Sequence, residues 1–87
     1  MDKEQYYINK HIELQKELEK EGYKVCIEDI KYLRSLWANG LSHHKIKVHI
    51  ESKMRSDPKY VRLSEMIMNY RLFDLIVFYK IPKFKEV

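Results

Sequence analysis

With 87 residues, 45% hydrophobic and 34% charged side chains, and only two Gly and two Pro, the chain has the composition of one small folded domain rather than a disordered tail or a many-turned β fold. A chain this short buries only about 60–65% of the surface its unfolded form exposes, so a single modest core is expected and dimerisation would enlarge it. The net charge of +4 is uneven: residues 1–30 hold five basic and eight acidic side chains, residues 31–62 hold eight basic and two acidic, and residues 63–87 contribute +1. A basic centre beside an acidic arm points to a face that meets an anion.

Cys26 is the one cysteine, which excludes an internal disulfide and makes a reduced, cytoplasmic setting the expectation. The opening MDKEQYYINK holds no apolar run of signal-peptide type. The longest apolar stretch, residues 72–81, is interrupted by Asp74 and Lys80 and is too short for a bilayer, so no membrane partner is expected.

Residues 3–21 read as an exposed amphipathic helix. Tyr7, Leu14 and Leu18 share a face with His11 between them, Glu13–Lys16 and Glu17–Lys20 are spaced to pair, and Gly22 is a natural stop. YKVCI, at 23–27, fits a lead-in or a short strand. Cys26, Ile30, Leu33 and Trp37 mark the buried side of a second helix, with Glu28 and Asp29 in its first turn and Asn39-Gly40 at its end. Ser42 caps a third helix, Leu41 and Ile46 stand at staple positions, and Ile46, Ile50 and Met54 face inward. Asp57 and Pro58 start a last helix expected to reach Tyr79 or Lys80 before Pro82, with Val61, Leu63, Ile67, Tyr70, Phe73 and Val77 as its core.

The fold class is therefore all-α, a small bundle of about four helices in a single domain, residues 1–87, with a helix-turn-helix-like corner. LIVFYKI, at 75–81, is β-branched and aromatic. It supports an alternative: a winged-helix-like α+β fold with short strands near 23–27 and 75–81.

The corner carries the functional expectation. His43, His44 and Lys45 occupy the first turn of the third helix, where acidic residues would suit the helix dipole better. An incoming phosphate explains such a placement, because it uses both the free backbone N–H groups and the cationic side chains. Lys47, Lys53, Arg55, Lys59 and Arg62 would extend this into a continuous cationic strip, and Arg55, Lys59 and Arg62 are the candidates for reading base edges.

Leu36, Gly40, Ser42, Ile46 and Ile50 follow an L-x3-G-x-S-x3-I-x3-(I/L) spacing. Over residues 36–50 this resembles the homeodomain-like helix-turn-helix modules of resolvases and transposase-type regulators. Lys47 stands where that family usually has a small residue, and the turn after Ile50 is several residues longer. The resemblance implies that residues 42–51 form the positioning helix. The helix from Asp57 would then enter the major groove of DNA, with Lys59, Tyr60 and Arg62 near bases or phosphates.

Other chemistry lacks its residues. His43 and His44 point apart, His44 and His49 are five apart, and Cys26 has no partner at ligand spacing, so no metal is expected. There is no nucleophile–base constellation and no Gly-rich phosphate loop, so neither an enzyme nor a cofactor is expected. The tyrosines could stack on bases but fit a core or an interface more simply. The expectation is a non-enzymatic nucleic-acid-binding regulator, taking DNA rather than RNA, with a homodimer through the apolar C-terminal segment. The alternative partner is an acidic protein surface. Short chains rich in Lys, Ile and Tyr are similar in composition to small bacteriophage proteins that inhibit or adapt host proteins, CRISPR nucleases among them.

Overall fold

A computed structural model describes residues 2–82. Among these it contains five helices and no strand: α1 (Lys3–Lys20), α2 (Ile27–Ala38), α3 (His43–Glu51), α4 (Pro58–Met68) and α5 (Tyr70–Val77). The all-α expectation holds, and the winged-helix alternative does not. Residues 23–26 form an unpaired connection, while Leu75, Ile76 and Val77 are the last turn of α5.

The caps follow from local chemistry. Gly22 (φ +91°) and Gly40 (φ +86°) end α1 and α2 in the left-handed region that favours glycine. Each closes the same pair of bonds: Gly22 N–H to Glu19 O with Tyr23 N–H to Leu18 O, and Gly40 N–H to Trp37 O with Leu41 N–H to Leu36 O. Ser42 Oγ accepts from the Lys45 N–H at 3.3 Å, and Asp57 Oδ1 accepts from the Lys59 N–H at 2.9 Å with Pro58 at the first helical position. On α1, Glu17–Lys20 pairs as the spacing suggests, whereas Glu13 pairs with Lys10 rather than Lys16.

The last helix is not continuous. It breaks at Asn69, whose side chain accepts from the Leu72 N–H at 3.1 Å and so caps α5. Continuing α4 would carry the buried stripe from Ile67 to positions 70, 71 and 74, which are Tyr70, Arg71 and Asp74. All three are exposed. Restarting at Asn69 instead turns Leu72, Phe73, Ile76 and Val77 inward. Tyr70 and Val61, both expected in the core, are 66% and 42% exposed.

The core takes Leu14 and Leu18 from α1, Ile30 and Leu33 from α2, Ile46 and Ile50 from α3, Leu63, Met66 and Ile67 from α4, and the four α5 residues, with Val25 from the connection. Tyr7, Trp37 and Met54 are only partly covered, and Cys26 is exposed. Helices α3 and α4 pack as a hairpin, α1 lies against α2 and α5, and α2 touches α3 and α5. Arg34 fastens the end of α5 by donating to the carbonyls of Ile76 (2.7 Å) and Tyr79 (2.8 Å). Most of the apolar C-terminal segment is therefore used within the chain. Phe78 is left 61% exposed, packed edge-on to Trp37.

Candidate functional site

The helix-turn-helix-like corner is α3, the turn over residues 52–56, and α4. Two histidines fix the orientation of α3. His43 Nε2 donates to the Ile67 carbonyl at 2.7 Å, and its ring packs on Phe73 (4.6 Å) and Tyr70 (4.9 Å). Ile67 belongs to the last turn of α4, whose carbonyls lack helical partners, so His43 satisfies one of them. That gives His43 a packing role at the start of α3. His49 faces the other way and shares a 2.9 Å hydrogen bond between its Nε2 and the Tyr32 hydroxyl on α2.

These contacts sort the lysines. Residues four apart share a helix face. Lys45 therefore lies on the His49 flank, toward α2, and Lys47 on the His43 flank, toward α5. The two are not neighbours in one strip. His44 is exposed, as is Arg55 in the turn.

On the His49 flank the structure gathers a cluster of rings and ammonium groups. Tyr32 and Tyr60 meet edge to face, with centroids 6.1 Å apart and planes at 75°. Lys59 Nζ lies 5.2 Å from the Tyr60 centroid and 5.9 Å from that of Tyr32, and Lys53 Nζ lies 5.9 Å from Tyr60. Burial, a hydrogen bond with Tyr60 and the neighbouring phenol push the Tyr32 hydroxyl up to about 12, so it stays neutral at physiological pH.

Arg62 is placed differently from the sequence expectation. Its Nε and NH2 donate to Asp29 Oδ2 (2.7 Å) and Oδ1 (3.0 Å), a bidentate fork between α4 and the first turn of α2. The hydrogen bonds and charge of Asp29 raise the Arg62 pKa further, so its charge is permanent. Two of its five N–H donors go to the carboxylate, which turns the guanidinium toward α2 and away from an outward base edge, although the side chain stays 55% exposed. The rest of the outward face of α4 holds Val61, Glu65 and Met68, the last 51% exposed.

The cations of the corner without an ion-pair partner among the described residues are thus Lys45, Lys47, Lys53, Arg55 and Lys59. In α1, by contrast, two of the four lysines, Lys10 and Lys20, are paired. Spacing could place Lys45 and Lys59 only on their own helices. The tyrosines, one on each side of the α2–α4 gap, carried no sequence signal of meeting.

The Asp29–Arg62 pair also lines an open cleft of about 980 Å³, floored by Val25, Met66 and Leu72 and edged by Glu19, Lys24 and Glu65. Among the described residues, no three His, Cys, Asp or Glu side chains converge as a metal site, and no helix is long and apolar enough to cross a membrane. Compared with protein-family models, curated proteins and solved structures, the chain matches none.

Proposed function

We propose that this chain is a small, non-enzymatic, cytoplasmic nucleic-acid-binding protein with a regulatory role, contacting phosphates through residues 42–62. The observation that carries this reading is the group of five cations without carboxylate partners among the described residues, Lys45 to Lys59, within fifteen residues of one helical corner. Such a surface attracts a phosphate backbone and releases its counterions. Within the corner His44 and Lys45 keep the phosphate-facing assignment, while His43 and Arg62 contribute by holding the helices in place.

A second reading, a phage-type inhibitor or adaptor docking on an acidic host protein, is favoured by the exposed apolar side chains of Val61, Met68 and Tyr70 beside the corner. Fluorescence anisotropy with labelled DNA and RNA, single-stranded and duplex, tests the first. Binding is expected at about 50 mM salt and a steep loss by about 200 mM. No binding to any of the four at the lower salt removes the nucleic-acid reading and leaves the protein partner.

A further inference from the structure

The Tyr32–Tyr60 pair at the centre of the basic corner has a geometry that a core does not require. Both rings are half-buried, so the rest of the bundle holds their orientation while part of each stays accessible. Their planes stand at 75° in an edge-to-face contact, and the ammonium of the exposed Lys59 lies within 6 Å of both centroids. Lys53 approaches the Tyr60 ring from the turn, and Lys45 lies one helical turn before His49, which bonds to Tyr32.

A nucleobase is a planar π-surface flanked by phosphates. In an unpaired strand its face is available for stacking, whereas in a duplex it is covered by neighbouring bases. Duplex reading by α4 would call for donors on the outward face of that helix. That face instead presents Val61, Glu65 and Met68, and Arg62, the side chain best suited to a base edge, is held in two hydrogen bonds by Asp29. Glu65 would also repel a phosphate backbone drawn close to α4.

We infer that the corner binds an unpaired polynucleotide strand, with one base stacked on Tyr60 beside Tyr32 and Lys59, Lys53 and Lys45 on the flanking phosphates. This rests on the nucleic-acid reading above and replaces major-groove insertion of α4 with capture of a single strand. Lys59 occupies the ring face in the free protein and moves to a phosphate as the base enters. Single-stranded DNA and RNA share this chemistry, and the 2′-hydroxyl is the group that would separate them.

The test is an anisotropy titration of the full chain at about 50 mM salt with oligodeoxyuridylate, oligouridylate and a mixed-sequence duplex, each about 15 nucleotides long. The expected result is that at least one strand binds about 10-fold or more tightly than the duplex, the two strand arms identifying the sugar. Tyr60→Leu is expected to weaken strand binding about 10-fold, Tyr60→Phe to restore most of it, and the exposed Lys59→Gln to weaken it about 3-fold and flatten the salt dependence. Duplex binding as tight as strand binding overturns the inference and leaves the nucleic-acid reading intact. Unchanged strand affinity in a Lys59→Gln protein, or in a Tyr60→Leu protein with wild-type circular dichroism, overturns it equally. Failure of all three oligonucleotides to bind removes both.

Discussion

Asp29 shows how a single buried charge is made tolerable. It is 4% exposed, and burial, the largest influence on it, pushes its carboxyl upward. The Arg62 hydrogen bonds, the Cys26 thiol and the charges of Arg62 and Lys59 together outweigh burial and hold the group below its ordinary value. A depressed carboxyl contributes stability that is complete at neutral pH and is lost as pH falls through about 4 and below. Arg62→Ala leaves a buried carboxylate opposed to its surroundings, and is the more damaging change at pH 7. Asp29→Asn leaves an exposed guanidinium that water can solvate, at the cost of one lost acceptor facing Arg62, and is the milder change at pH 7. The deficit of Arg62→Ala relative to wild type should shrink as pH is lowered from 7 toward 4, because protonating Asp29 removes the unpaired charge. Urea midpoints at several pH values measure this, and a deficit that stays constant would show that the pair does not govern it. Nothing in the sequence joins these residues: Asp29 reads as a helix-dipole acid and Arg62 as a surface cation, and their meeting depends on how α2 and α4 pack.

At the scale of elements, Asn69 decides where the C-terminal third turns. It is exposed, and its side chain satisfies the Leu72 N–H, one of the unpaired donors at the start of α5. Asn69→Ala removes that cap and should cost about 1 kcal/mol, a fall in melting temperature of about 4–8 °C for a domain of this size, while Asn69→Asp retains most of it. An alanine variant that melts with the wild type would mean that α5 is placed by core packing alone. The boundaries marked by glycine, serine, and Asp57 with Pro58 were legible in the sequence because each is a local event, a left-handed turn or a cap within three residues. The break at Asn69 had a legible sign too, since Arg71 and Asp74 fall where an uninterrupted helix would bury them. The apolar density of LFDLIVFYKI masked it. The pairing of Tyr32 with Tyr60 had no such sign, because it is set by the tertiary contact between elements far apart in sequence.

At the scale of the whole molecule, the charge asymmetry visible in composition becomes spatial only through the two flanks of α3. The +6 balance of residues 31–62 suggests one continuous strip. Instead, Arg62 is neutralised by Asp29, and His43 and Lys47 turn toward α5. Lys45, Lys53, Arg55 and Lys59 remain as candidates for the face that holds the tyrosines. Four phosphate contacts to a single strand give a slope of log affinity against log salt near −3, so affinity should fall about 50-fold between about 50 and 200 mM salt. Because Lys45 and Lys47 lie on opposite flanks, charge reversal separates them. Lys45→Glu should weaken binding about 10-fold or more and reduce the slope, whereas Lys47→Glu, with the same change in net charge, should have a several-fold smaller effect. Equal losses in the two variants would mean that net charge rather than a defined face attracts the ligand. A loss confined to Lys47→Glu would move the interface to the His43 flank, where Tyr70 and Met68 are exposed, and would favour a protein partner over a strand of nucleic acid.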